Sequence, residues 1–292
     1  MSVFQGSAVA MITPFSDGTV DFTALTRLLE LQIASGTDAI VTCATTGEGA
    51  TLTADERLDI FNFTVERVNH RVPVIAATGG NNTADVIELS RSAEAIGADA
   101  LLIVTPYYNK TTQKGLIAHY GEIADSVDLP IIVYNVPSRT GLNVEPETMA
   151  NLVSRHRNIV GIKEASGNIT QITTLAAICP ECDIYAGNDD HVLPVLSLGG
   201  KGVISTIANV VPDSMHALCD AYFSGDLLVA KEIQLQMIPL WKAAFCEVNP
   251  IPLKYMMGLM KLCEPDVRLP LVPLSIEHET LVKDTLTAYG LI

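Results

Sequence analysis

Positive charge is scarce in this chain: 18 lysines and arginines face 33 aspartates and glutamates, a net charge of −15. That balance excludes a nucleic-acid partner, which needs a basic footprint to neutralise phosphates, and it disfavours an anionic membrane surface for the same reason. A small anionic substrate remains open, because a few local cations set the potential inside a pocket. Long apolar runs are missing too. They reach about seven residues, far short of the ~20 that span a bilayer. The start, Met1-Ser2-Val3-Phe4-Gln5-Gly6, lacks the basic opening of a secretory signal. A cytoplasmic protein is expected, off the membrane. Six cysteines in 292 residues make no dense disulfide framework and suit a reducing compartment. Six histidines are scattered, and no dinucleotide fingerprint or phosphate loop occurs. Cys179-Pro180-Glu181-Cys182 has metal or redox spacing but no second pair, and it precedes a strand-like run, so it is read as structural. No metal and no cofactor are expected.

What is present is core-forming. Hydrophobic residues make up 48% of the chain and charged residues 17%, the balance of a globular protein with many buried strands. Eight short apolar runs recur, at 7–13 (SAVAMIT), 39–45 (AIVTCAT), 72–78 (VPVIAAT), 100–106 (ALLIVTP), 130–136 (PIIVYNV), 159–165 (IVGIKEA), 183–189 (DIYAGND) and 202–208 (GVISTIA). Continuous runs of this kind suit strands buried on both faces. Between them, 22–34, 83–96, 116–126 and 145–154 carry helical spacing, with Thr83 as an expected N-cap and Gly97 as a stop. Eight β-then-α units over about 210 residues predict an α/β fold, the (β/α)₈ TIM barrel, over an open doubly wound sheet. The latter would carry a glycine-rich turn after its first strand, where this chain has Thr13-Pro14-Phe15. Past Pro212 the β runs stop, and 217–223, 227–245, 251–262 and 275–289 read as helices. The expected division is a barrel over 1–223 and a C-terminal helical extension over 224–292 packed on it.

Barrel chemistry gathers where strands end. The run ends hold Thr45-Thr46-Gly47-Glu48, Tyr107-Tyr108, Tyr134-Asn135, Lys163-Glu164, Gly187-Asn188 and Ser205-Thr206: hydroxyls, one lysine and no histidine. Among nine lysines, Lys163 directly continues a buried run; the others fall mostly in loops or helices, where a solvated amine is expected. Desolvation favours the neutral amine, the form that attacks carbonyls. Position alone leaves two readings open, catalysis or an ion pair with Glu48 or another strand-end acid. Tyr134, ending the preceding run, suits proton transfer or simple packing. Arg139, on the loop after the fifth run, is either a carboxylate clamp or a solvated arginine.

The motifs Thr45-Thr46-Gly47-Glu48, Pro106-Tyr107-Tyr108, Tyr134-Asn135-Val136-Pro137-Ser138-Arg139-Thr140-Gly141, Gly161-Ile162-Lys163-Glu164-Ala165 and Asn249-Pro250-Ile251-Pro252 occur in this order. With them the chain resembles, from Gly6 to its C-terminus, the dihydrodipicolinate synthase family within the N-acetylneuraminate lyase superfamily. The resemblance implies a metal-free class I aldol reaction in lysine and diaminopimelate synthesis. In it, pyruvate, bound to Lys163 as a Schiff base, condenses with L-aspartate 4-semialdehyde. It further implies a proton relay of Tyr134, Thr45 and Tyr108, with the last tyrosine supplied by a neighbouring subunit of a homo-oligomer, usually a tetramer. Thr46 matches the pyruvate-carboxylate binder, Arg139 the residue that orients the semialdehyde, and Gly187 and Ile204 positions whose backbone lines the pocket. Lysine-inhibited relatives have an effector site near Asn81 and Tyr107, built with serine, two histidines and glutamate where this chain has Gly49, Ala54, Arg57 and Asp85; weak or absent feedback is expected. Two rival readings remain, a sister lyase acting on sugar acids and a barrel that binds a keto acid without turning it over.

Overall fold

All eight apolar runs form strands, and the strands close on themselves. The structure, a computed structural model, describes residues 2–292. In chain order the strands are β1 (Gly6–Ala10), a hairpin of β2 (Phe15–Ser16) and β3 (Thr19–Val20), then β4 (Ala39–Thr42), β5 (Val74–Ala77) and β6 (Ala100–Val104). β7 (Ile131–Asn135), β8 (Ile159–Glu164), β9 (Asp183–Ala186) and β10 (Gly202–Ser205) follow. β1 pairs in parallel with both β4 and β10, which seals a closed barrel in the order β1-β10-β9-β8-β7-β6-β5-β4. Most strands stop before the sequence runs do. After β4 the chain turns at Cys43, whose φ of 57° breaks the ladder, and after β9 it enters a 3₁₀ turn at Asp189–His191. The run ends are therefore loops on the barrel rim, which frees their side chains for chemistry.

Side chains alternate between the lumen and the helical layer, as the pleat requires. Ala8, Ala10, Ala39, Val41, Ile75 and Ile204 meet inside, whereas Val9, Ile40, Val74 and Val203 pack against the helices. The N-terminal end of the lumen is plugged by Phe4 stacked on Tyr185, ring centroids 4.3 Å apart, with the Tyr185 hydroxyl donating to the Phe4 carbonyl. In register across β7, β8 and β9 stand Tyr134, Lys163 and Tyr185. Lys163 is thereby placed on a lumen whose bottom is closed and whose top is open to the rim.

The helices Phe22–Ala34 and Thr83–Ile96 run as the periodicity predicts. The second is capped by Asn82 rather than by the expected Thr83, and the Thr83 hydroxyl instead meets His119 Nδ1 at 2.9 Å. The expected helix over 227–245 is two, Leu227–Gln236 and Ile238–Ala244. Pro239 lacks the N–H that a continuous helix needs and crowds the preceding turn, so it sits in the first turn of the second piece. Ile251–Leu259 and Ile276–Ala288 complete the C-terminal helical region.

His119 carries a pH prediction. Burial holds its imidazole well below the ordinary 6.5, at about 4. On acidification the unfolded chain takes up this proton first, so the stability tied to the neutral ring is present above pH ~6.5 and is lost as the pH falls towards 4. His119→Gln should flatten the stability-versus-pH curve over that window by about 3 kcal/mol, as read from urea unfolding at pH 7 and pH 4.

Candidate active site

Lys163 is buried, at 4% exposure, and makes no salt bridge among the described residues. Its Nζ lies 4.5 Å from the centroid of the Tyr134 ring. The pairing with Glu48 that its position left open does not form, since Glu48 binds Lys254 instead, Nζ to Oε1 2.5 Å. Glu164, the residue after Lys163, is engaged by Asn135 Nδ2, Gln171 Nε2 and the Ser166 N–H. Asp189 accepts from the backbone N–H groups of Thr206 and Ile207; burial pushes its carboxyl up, and the charge of Lys163 pulls it the other way. With the neighbouring acids occupied elsewhere, the amine faces a ring and an apolar lumen.

Above it lies a cavity of about 310 Å³, walled by Thr45, Glu48, Arg57, Tyr107, Tyr134, Arg139 and Asn249 among others. Tyr134 and Thr45 therefore share one space, and Lys163 adjoins it through Tyr134 without lining it. The Thr46 hydroxyl is buried, accepts from Asn249 Nδ2 at 3.0 Å, and lies 3.4 Å from the Thr206 hydroxyl. Arg139, an exposed side chain, donates from Nη2 to the Asn249 carbonyl at 3.4 Å. Two expected carboxylate binders thus meet through one asparagine. Asn249 had only motif membership to recommend it, and its Oδ1 is buried without a hydrogen-bond donor among the described residues.

Other expected residues are not assembled in this chain. Tyr108 is 90% exposed, with a φ of 69°, and is absent from the cavity wall. Thr46, Gly187 and Ile204 do not line the cavity either. Gly187 donates to the Glu164 carbonyl at 2.8 Å, and a Cβ there would come within 2.6 Å of the Ala165 methyl; Ile204 is a lumen side chain opposite Ala8. Asn81, Asp85 and Tyr107 do come together, with Ala54 and Arg57, around a second cavity of about 380 Å³. Asn81 Nδ2 donates to the Tyr107 carbonyl, and Arg57, its pKa lowered by burial, borders both cavities.

Sequence reasoning missed Lys254 entirely. It is fully buried in the helix Ile251–Leu259, where a solvated amine was expected. The signal lay in its surroundings, Pro252-Leu253-Lys254-Tyr255-Met256-Met257, a helix with no polar face to keep a lysine in water.

The sequence pattern of the dihydrodipicolinate synthetase family matches residues 3–289. The chain is 52% identical, over 293 residues, to the 4-hydroxy-tetrahydrodipicolinate synthase of Thermoanaerobacter sp. (strain X514), covering 100% of this chain and 99% of the relative. Identity to the protein of that name from Caldicellulosiruptor bescii is also 52%, with the same coverage. The crystal structure of dihydrodipicolinate synthase from Thermotoga maritima superposes with a TM-score of 0.97 at 42% identity, each chain covered completely. A buried lysine level with a tyrosine on the neighbouring strand, under a threonine-lined rim and on a barrel matched end to end, leaves one assignment: the chain belongs to the dihydrodipicolinate synthetase family.

Proposed function

We propose that the chain condenses pyruvate with L-aspartate 4-semialdehyde to give 4-hydroxy-tetrahydrodipicolinate, with Lys163 as the Schiff-base nucleophile. The observation that carries this reading is the Lys163 amine: buried, free of a carboxylate partner, and level with Tyr134. Its nitrogen attacks the pyruvate ketone, and the carbinolamine loses water to an imine. Loss of a methyl proton gives the enamine, whose carbon attacks the aldehyde. The amine of the semialdehyde then closes on the imine carbon and expels Lys163 unchanged. Each stage moves a proton at or near the nitrogen, the task a phenol at Tyr134 and the hydroxyl of Thr45 suit. Thr46 would hold the pyruvate carboxylate, and Arg139 at the rim would orient the semialdehyde carboxylate. Borohydride reduction in the presence of pyruvate, followed by peptide mass mapping, tests the assignment. The adduct is expected on Lys163, and no adduct there would rule out the mechanism.

Tyr108 points to an assembly. A tyrosine 90% exposed in a single chain and called for in the relay has its place in a neighbouring copy's site, so the working form is a homo-oligomer. Two inactive variants should therefore complement. In mixed oligomers of Tyr108→Phe and Lys163→Ala, one site receives an intact Lys163 from the first chain and an intact Tyr108 from the second. Co-expression restores activity if the tyrosine crosses, and fails to restore it if each chain supplies its own.

The second cavity bears on regulation. Arg57 places a cation beside Asn81, Asp85 and Tyr107, where a lysine effector would bring another, and like charges at close range repel. Millimolar L-lysine should leave turnover unchanged in a steady-state assay. Strong inhibition would show that Asp85 and the asparagine suffice without the missing groups.

A further inference from the structure

The turn that carries Thr45 and Thr46 is gripped from outside the barrel. Two of its residues, Cys43 and Glu48, hold left-handed backbone angles, φ 57° and 53°, a conformation that non-glycine residues keep only where the surroundings impose it. Local turn hydrogen bonds hold the Glu48 backbone, and the C-terminal region grips its side chain. Both carboxylate oxygens are taken: Oε1 by Lys254 Nζ at 2.5 Å, Oε2 by the backbone N–H of Arg268 at 2.9 Å. Lys254 also donates to the Asp266 carbonyl at 2.7 Å and lies 4.0 Å over the Phe15 ring, which the Arg268 guanidinium approaches at 4.3 Å. The hairpin after β1 and the turn after β4 therefore both meet the C-terminal region at Lys254 and Arg268. The same C-terminal stretch reaches the turn a second time, through Asn249 Nδ2 on the Thr46 hydroxyl.

We propose that Glu48 and Lys254 are a positioning pair: their buried ion pair locks the Thr45–Thr46 turn to the C-terminal helical region and so sets the hydroxyl that receives the pyruvate carboxylate. The inference rests on the reading of Thr46 given above. Glu48 borders the cavity, but both its oxygens are turned to the C-terminal region, and Lys254 does not border it; each acts through the turn. An error in hydroxyl placement weakens substrate and transition state together, which raises KM more than it lowers kcat. The amine of Lys163, on a different strand, keeps its own setting.

Two variants test this. Glu48→Gln with Lys254→Met removes both charges at nearly constant volume, and Glu48→Asp keeps both charges but retracts the carboxylate by one methylene. The readouts are KM for each substrate, kcat, thermal unfolding, and the pyruvate concentration at half-maximal borohydride trapping. The double variant should unfold near the wild-type temperature, yet its KM for pyruvate and its trapping midpoint should both rise by about tenfold or more, with kcat and the semialdehyde KM changed less. Glu48→Asp should shift the same two quantities in the same direction, and it decides the matter if the double variant does not fold. A folded variant of either kind with wild-type pyruvate KM and trapping midpoint would show that the pair only supports the fold. Failure of the wild-type protein to trap pyruvate would overturn the Schiff-base reading itself, and the inference with it.

Discussion

Lys163→Ala should lower turnover on the order of 10⁴–10⁶-fold, the loss expected when the residue that forms the covalent intermediate is deleted. It should also abolish borohydride trapping while leaving the protein folded. The second half of this expectation is the more diagnostic. A buried amine that makes no salt bridge and faces a tyrosine ring leaves its hydrogen-bonding groups poorly satisfied, which costs free energy. Removing it relieves that cost, so the melting temperature of Lys163→Ala should equal or exceed that of the wild type, the trade of stability against activity seen at strained functional sites. Lys163→Arg should fail to rescue, because a guanidinium stays protonated and offers no nucleophilic lone pair. A Lys163→Ala protein that retained turnover within about tenfold of wild type would move the nucleophile to another residue.

The barrel was legible because its signal is local. Each parallel strand is buried on both faces, so runs such as 100–106 and 130–136 stand out with no knowledge of their neighbours, and the order of runs sets the order of the sheet. Lys163 was legible for the same reason, as a charge at the end of such a run. What escaped is non-local. Glu48 and Lys254 are far apart in sequence, and no spacing rule joins a strand-end turn to a C-terminal helix. Asn249 acts through its side-chain amide on Thr46 and its carbonyl on Arg139, contacts that exist only once the C-terminal region covers the rim. The end of β4 was overrun because Cys43 adopts a left-handed angle that its residue type does not announce. Glycine at that position would have marked the turn. The hairpin β2–β3 was missed because two-residue strands leave no periodicity to read.

Lys254→Met should destabilise the protein by about 3–5 kcal/mol, the cost of leaving a buried charge without its partner. Both side chains are essentially inaccessible, 0% for Lys254 and 1% for Glu48, so water cannot replace the lost ammonium. One backbone N–H, from Arg268, would be all that remained on the carboxylate, and the Asp266 carbonyl would lose its donor as well. Burial already draws the Lys254 ammonium below its ordinary pKa, and Glu48 opposes that pull. The double variant Glu48→Gln with Lys254→Met should recover most of the loss, since exchanging a whole buried pair for neutral groups of similar size is often close to neutral. Arg268 and Glu56 make the instructive contrast. Their pair is bidentate but lies near the surface, with 21% and 27% of the side chains exposed. Arg268→Met should therefore cost about 1 kcal/mol through that pair, with a further loss from its contacts to the Thr51 and Gly18 carbonyls. Urea unfolding of the four proteins at one pH, with the slope against denaturant unchanged, measures all of these differences. If Lys254→Met lost no more than Arg268→Met, water would have to reach Glu48, and the carboxylate would not be the sealed anchor that its burial implies.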